Sequence, residues 1–232
     1  LDISNVSISY SGVRAVDDVS VRIQAGKIHA VIGPNGAGKS SLINAVAGLA
    51  FAQSGQIKLA GSDVSSAPAW VRARAGLART FQNLQLIGTL RVWENVSLGE
   101  VPRYGFVAGF VSWLGRGALQ QQERERAICC LQQVGLAANA DQLPGSLAYG
   151  HRKLVEIARV LAQQPSVVLL DEPIAGINDE EAHEIKTLLI ALREGGTAIV
   201  LVEHNMGFVM AVSDSVTVLE YGKRIAVGSP QE

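Results

Sequence analysis

The amino-acid sequence predicts an α/β fold with a central, mostly parallel sheet, an N-terminal antiparallel β subdomain and an inserted helical subdomain. Three observations predict it: period-two strands at the start, short apolar runs further along, and a long stretch without a strand pattern. The chain has 232 residues, of which 48% are hydrophobic. One domain over residues 1–232 can therefore bury a sizeable core.

The first 23 residues carry the antiparallel pattern. Val6, Ile8 and Tyr10 alternate with serines, and a second alternating run of Val19, Val21 and Ile23 precedes Gly26. Alternation at period two is typical of strands with one covered face. This segment therefore predicts an antiparallel sheet that is half covered.

Three short, mainly apolar runs lie at residues 28–32, 167–170 and 198–202. Strands of a parallel sheet are covered on both faces and show such runs without alternation. Apolar residues at helical spacing predict helices over 182–194 and 152–164, and a helix over 40–49 is expected to end at Gly48. The stretch from about 88 to 164 shows no strand pattern, which predicts the inserted helical subdomain.

The composition argues against several classes of function. A net charge of -1 and a pI near 6.5 give no basic surface for nucleic acid, so no nucleic-acid partner is expected. Cys129 and Cys130 are adjacent and have no metal-ligand spacing. The aromatic-rich segment 104–114 is too short to cross a bilayer, and it is either part of the local core or a flank of a protein-docking surface.

Between the predicted strand 28–32 and the helix that follows it lies a complete G-x-x-x-x-G-K-[ST] pattern. It is filled by Gly33, Pro34, Asn35, Gly36, Ala37, Gly38, Lys39 and Ser40, with Ser41 next. Glycines let backbone N–H groups surround phosphate oxygens, Lys39 can reach the β- and γ-phosphates, and the Ser40 hydroxyl can bind Mg²⁺. The pattern predicts ATP and Mg²⁺ as cofactors, and a purely structural glycine-rich turn is the alternative.

Two carboxylates, Asp171 and Glu172, follow the apolar run 167–170. They are predicted at the carboxyl edge of a parallel sheet, where α/β folds bind ligands. There Asp171 would hold Mg²⁺ through its water shell, and Glu172 would orient and deprotonate the attacking water. The alternative is a pair of carboxylates that cap the next helix.

In the order of these motifs, the chain resembles the ATPases of ATP-binding cassette (ABC) transporters over nearly its whole length. The resemblance implies that Tyr10 stacks on adenine, that Gln82 contacts Mg²⁺ or the attacking water, and that His204 senses the γ-phosphate. Alone, an aromatic residue or a histidine at such positions is more often structural.

Leu147-Ala148-Tyr149-Gly150-His151 stands where this family has its LSGGQ signature, before the predicted helix 152–164. The resemblance implies that Ala148, Tyr149 and Gly150 close over the ATP of a partner cassette. Ala148 replaces the phosphate-binding serine of the family, and Asn178 replaces an aspartate in the segment 175–178. Both departures put full activity of one site in doubt.

Five segments are similar to the ATPases of bacterial branched-chain amino acid importers, a likeness that urea and short-amide importers share. They are residues 79–83, the signature with its tyrosine, 175–178, 202–206 and 104–114. The resemblance implies transmembrane permease subunits, a second identical or different cassette, and a periplasmic solute-binding protein. It also implies a peripheral position on the cytoplasmic face of the inner membrane. The alternatives are a soluble ABC ATPase and a nucleotide-binding regulator that barely hydrolyses.

Overall fold

The computed structural model describes residues 1–82, 84–101 and 118–232, so the aromatic-rich segment 104–114 lies outside the described residues. The chain forms two compact units. The first contains Leu1–Arg79, Ser166–Glu172 and Leu189–Glu232, and the second contains Thr80–Pro165 and Pro173–Leu188.

Ten strands and seven α-helices occur in the described residues. The strands are β1 (Asp2–Tyr10), β2 (Val13–Arg22), β3 (Ile28–Ile32), β4 (Ser54–Leu59), β5 (Ser62–Asp63), β6 (Leu77–Arg79), β7 (Val167–Asp171), β8 (Ala198–Val202), β9 (Ser215–Glu220) and β10 (Lys223–Gly228). The helices are α1 (Lys39–Ala47), α2 (Ala69–Arg74), α3 (Val92–Ser97), α4 (Ala118–Gln133), α5 (Tyr149–Ala162), α6 (Asp179–Glu194) and α7 (Met206–Val212).

The first unit contains the predicted antiparallel sheet, with strand order β2-β1-β4-β5. β1 pairs antiparallel with both β2 and β4. Val6, Ile8 and Val19 are at most 1% exposed, while Tyr10 is 48% exposed at the end of β1. The period-two pattern thus gives one face to the core, which confirms this part of the predicted fold.

The first unit also contains the central sheet, with order β10-β9-β3-β8-β7-β6. Neighbouring strands from β9 to β6 are parallel, and only β10 runs antiparallel to its neighbour. Every residue of β7 and β8 is buried, as the apolar runs predicted. One hydrophobic core joins both sheets and the buried face of α1, which includes Leu42 and Ile43. The mostly parallel sheet is therefore confirmed.

The second unit is built around α3, α4 and α5, which pack on one another. Its core includes Trp93, Val96, Leu131 and Leu154. Close packing is visible at Gly99, where a Cβ would collide with the carbonyl of Arg159. Described residues from 88 to 164 form helices and loops without a strand.

The helix predicted over 152–164 begins earlier, at Tyr149, so its predicted start was wrong. Ala148 is its N-cap residue and contributes no side-chain capping bond. Gly150 therefore sits inside the helix rather than in the preceding loop. No helix in the described part of the chain is long and apolar enough to cross a membrane.

Candidate functional site

The G-x-x-x-x-G-K-[ST] segment forms the turn between β3 and α1 in the first unit. Gly33, Gly36 and Gly38 have φ values of 147°, 81° and 100°, which side chains rarely tolerate. A Cβ on Gly33 would collide with the Leu219 carbonyl, and a Cβ on Gly38 with the Ala15 carbonyl. Backbone of β9 and β2 thus presses on the turn at two points, and only glycine fits there.

Backbone and lysine contacts complete this turn. The Gly222 N–H donates to the Ala37 carbonyl at 3.0 Å, which ties the turn to the end of β9. Lys39 Nζ donates to the carbonyls of Gly33 and Pro34 at 2.7 and 3.0 Å, so its ammonium lies over the turn.

α1 starts at Lys39 with no side-chain cap, so the N–H groups of its first turn and the helix dipole can hold an anion. Ser40 is exposed at this helix start, whereas Ser41 is half-buried. The predicted residues Pro34, Asn35 and Gly36 form the exposed tip of the turn. The arrangement provides backbone donors, an ammonium and a hydroxyl within one short segment.

Asp171 ends β7 and has a side chain that is only 4% exposed. Burial raises the pKa of this carboxyl, while the Arg79 guanidinium, with Nη2 at 3.1 Å from Oδ2, acts in the opposite direction. The nearby Glu172 carboxylate raises the pKa of Asp171 further, and the Lys39 ammonium lowers it. Asp171 therefore lies within electrostatic reach of the Lys39 ammonium.

Glu172 follows directly and has a φ of 50°, the left-handed region that residues with a Cβ seldom adopt. Its N–H donates to the Val202 carbonyl at the end of β8, at 2.9 Å, which holds this conformation. Glu172 Oε1 lies 3.7 Å from His204 Nδ1. The ends of two adjacent strands thus bring a carboxylate and an imidazole together.

The turn that carries His204 is organised by a buried carboxylate that the sequence did not single out. Glu203 is 1% exposed, and its Oε2 accepts the N–H groups of His204 and Asn205 at 3.1 and 3.4 Å. Asn205 Oδ1 then caps α7 by accepting the Phe208 N–H at 3.0 Å. These bonds fix the backbone of His204.

Tyr10 lies opposite Val13, next to the turn that joins β1 and β2. The second strand of this hairpin contains Ala15, whose carbonyl presses on Gly38. Tyr10 is therefore exposed on the hairpin that borders the phosphate-binding turn. An exposed ring of this kind is available to stack on a ligand, whereas an aromatic residue of the core would be buried.

A model of the ABC transporter family matches residues 16–175 of the chain. The chain belongs to the ABC transporter family. It is the ATP-binding subunit of an ABC transporter and an ATPase.

Similar ABC subunits cover nearly the whole chain. The branched-chain amino acid transport ATP-binding proteins BraF of Pseudomonas aeruginosa and LivG of Escherichia coli are each 33% identical to it, over 100% of this chain and 92% of the relative. The fructose import ATP-binding protein FrcA of Rhizobium meliloti is 34% identical, over 96% of this chain and 85% of the relative.

Solved ABC cassettes have the same fold. One ATP-binding cassette of an ABC transporter is 30% identical with a TM-score of 0.89, covering 100% of this chain and 92% of the other. A dimeric cassette in a post-hydrolysis state, bound to ADP and phosphate, is 25% identical with a TM-score of 0.84 and covers 100% and 99%. The ABC ATPase fold predicted from the sequence is confirmed.

The divergent ABC signature lies in the second unit. Ala148 and Tyr149 are exposed, and Gly150 is buried in the first turn of α5. A Cβ on Gly150 would collide with the Glu181 carboxylate, which also accepts the Asn178 N–H at 3.1 Å. A side chain at position 150 would therefore displace the end of the flexible Glu181 side chain. Glu181 joins the signature to the segment 175–178.

Gln82 also belongs to the second unit, where it is exposed. It follows Thr80, which is 4% exposed, and Phe81, whose N–H lies 3.4 Å from Glu156 Oε1. The first unit therefore brings Lys39, Asp171, Glu172 and His204 together, whereas Gln82 and the signature belong to the other unit.

Two arginines, the buried Arg72 and the largely covered Arg79, contact elements of the site, and the sequence did not predict these contacts. Arg72 is 0% exposed and donates to the carbonyls of Ala45 and Val46, which end the helix of the phosphate-binding turn. Arg79 contacts Asp171, as described above. Basic residues near a helix end are a known capping signal, but their partners are distant in sequence.

Proposed function

We propose that the first unit binds Mg²⁺·ATP at the phosphate-binding turn and hydrolyses it with Glu172 as general base. The observation that carries this proposal is the placement of Asp171, Glu172 and His204 at the ends of β7 and β8, beside the strand that enters the turn. Backbone N–H groups of the turn and Lys39 would bind the phosphates, and exposed Tyr10 would stack on adenine.

The oxygen donors available fit Mg²⁺, because this ion prefers a few protein oxygens together with substrate phosphates and water. Ser40 and Asp171 of the first unit would hold it. Bound Mg²⁺ would neutralise charge that develops on the β- and γ-phosphates. The described residues contain no cluster of three His, Cys, Asp or Glu side chains, so the donor set is sparse, as this mode requires.

In the hydrolytic step, Glu172 would accept the proton of the attacking water as the oxygen bonds to the γ-phosphorus. His204, 3.7 Å from Glu172, would orient the carboxylate and contact the γ-phosphate. The Glu203 bonds to the backbone of His204 keep that histidine in place. The ADP oxygen leaves with the bond's electron pair.

We further propose that this chain pairs with a second cassette, identical or different, and docks on transmembrane permeases at the cytoplasmic face of the inner membrane. The dimeric cassette at 25% identity supports the pairing. Ala148, Tyr149 and Gly150 would then cover the partner's ATP. A periplasmic binding protein would supply solute to the assembly.

Branched-chain amino acid import is the transport function we propose, and it rests on the full-length likeness to BraF and LivG. The matched likeness to a fructose importer makes solute identity a separate question from ATP hydrolysis. Uptake of radiolabelled leucine, urea and fructose by cells that carry Glu172→Gln as the sole copy addresses it. Selective loss of leucine uptake is expected, and loss of urea or fructose uptake with leucine unaffected would overturn this assignment.

The hydrolytic roles are tested with Glu172→Gln in the assembled transporter. Gln has nearly the same size as Glu and also has a Cβ, so the substitution leaves the unusual backbone conformation of residue 172 unchanged. ATP affinity is expected to stay unchanged while turnover falls roughly 10²–10⁴-fold, since only general-base help is lost. Near-normal turnover would exclude Glu172 as the base. Glu180→Gln, an exposed charge change on α6, serves as the control.

A further inference from the structure

Arg79 ends β6, the edge strand beside β7, and its side chain is 11% exposed. Its two terminal nitrogens reach different elements. Nη1 donates to Asn44 Oδ1 at 2.5 Å, and Nη2 donates to Asp171 Oδ2 at 3.1 Å. One planar guanidinium thus bridges the helix after the phosphate-binding turn and the carboxylate at the end of β7.

Asn44 lies one turn after Ser40 on the same face of α1. Arg79 therefore links, through Asn44, the helix that carries the Ser40 hydroxyl to the Asp171 carboxylate. Both proposed Mg²⁺ donors of the first unit are thus connected to this side chain, Asp171 by a direct bond and Ser40 through Asn44 one helical turn away.

The ion pair between Arg79 and Asp171 stabilises a buried carboxylate. An ionised carboxylate that is 4% exposed is costly unless charged or hydrogen-bonding groups satisfy it. A guanidinium supplies donors in a fixed plane, which sets the orientation of a carboxylate as well as its charge. Lysine at the same position would keep the charge but not the fork.

We propose that Arg79 is a positioning residue for the magnesium site, holding Asp171 in the orientation in which it receives the metal and fixing its spacing from Ser40. This inference rests on the proposed function, because it takes Asp171 and Ser40 as metal donors. Alternatively, the positive charge of Arg79 could repel Mg²⁺, which would lower the affinity for the metal instead of raising it. Removal of Arg79 therefore weakens Mg²⁺ binding if positioning dominates and strengthens it if repulsion dominates.

The test measures binding of a fluorescent ATP analogue to the purified chain, with EDTA and across a Mg²⁺ titration. For Arg79→Gln, affinity in EDTA is expected within about 2-fold of wild type, and the Mg²⁺ concentration for half-maximal effect should rise roughly 10- to 100-fold, as for other residues that orient metal ligands. Arg79→Lys should give an intermediate rise. Arg22→Gln removes an Arg–Asp pair of 3.0 Å elsewhere in the first unit and should change neither value.

Asn44→Ala removes one acceptor and leaves the Asp171 contact, so it serves if Arg79→Gln fails to fold. It should raise the Mg²⁺ requirement less than Arg79→Gln does, and the double variant should equal Arg79→Gln alone. An unchanged or lower Mg²⁺ requirement in the folded variants overturns the inference. If Asp171→Asn also leaves the Mg²⁺ requirement unchanged, the proposed metal site itself is wrong. If only Asp171→Asn has an effect, Arg79 alone is misassigned.

Discussion

Acidification is expected to destabilise the first unit through His29, the second residue of the strand that enters the phosphate-binding turn. His29 is 2% exposed, with Nδ1 at 2.7 Å from Ser215 Oγ and Nε2 at 2.9 Å from Thr217 Oγ1. Burial lowers the pKa of His29 from 6.5 to about 4. The two hydroxyl groups form hydrogen bonds with the neutral imidazole. A protonated imidazole at this buried position would be cut off from hydration by water, which disfavours protonation.

The direction and size of the change in unfolding free energy follow from proton linkage. Between pH 6.5 and 4 the unfolded chain binds a proton at this histidine and the folded chain does not, so stability falls as the pH falls. The free energy of unfolding should drop by about 2 kcal/mol between pH 7 and pH 5, and by roughly 3 kcal/mol below pH 4. The charged residues Arg22, Lys27 and Asp214 line the same pocket as His29.

Urea unfolding of the wild type and of His29→Gln at pH 7, 6 and 5 measures this difference. Gln cannot titrate, so its curve should lose about 2 kcal/mol less than the wild type over this range. His183→Gln changes an exposed histidine on α6 and should follow the wild type. Parallel pH dependence of wild type and His29→Gln would refute the reasoning.

Three further substitutions probe the nucleotide site and the signature. Lys39→Ala should weaken ATP binding roughly 10- to 150-fold, because a charged hydrogen bond to phosphate is lost, and a nucleotide titration checks this. Ala148→Ser should raise the melting temperature by about 2–4 °C as a new N-cap of α5; an unchanged value would mean that the hydroxyl does not cap. In the transporter, the Ala148→Ser, Glu172→Gln double variant should hydrolyse faster than Glu172→Gln alone, since the signature acts on the partner's ATP. Gly150→Ala should change the free energy of unfolding by less than about 1 kcal/mol, because the added methyl group meets only the end of the flexible Glu181 side chain; a larger loss would show that this carboxylate cannot move aside.

The sequence alone predicted the elements whose signals are local. The glycine pattern before Lys39, the alternation in β1 and the apolar run before Asp171 each depend on neighbouring residues, and the structure has all three. Such apolar runs predict that the central sheet is mostly parallel, but they do not give the order of its strands. These features suffice to place the phosphate-binding turn and two carboxylates at one sheet edge.

Other features depend on pairings across long stretches of chain and could not be predicted. The Arg79 contacts join residues 35 and 92 positions apart, and no local pattern marks which arginine takes that place. The start of α5 was misplaced because Ala148 gives no capping signal. No role for Glu203 could be inferred from the sequence, because its hydrogen bond from the His204 N–H depends on the local conformation of the chain.

The phosphate-binding turn also constrains the order of events during synthesis. Its shape depends on the Leu219 carbonyl against Gly33 and on the Gly222 N–H bonded to Ala37, contacts that span more than 180 residues. A nascent chain therefore carries the complete Gly33–Ser40 pattern long before it can hold it in the nucleotide-binding shape. ATP can therefore stabilise the folded first unit only after residues 215–222 have left the ribosome.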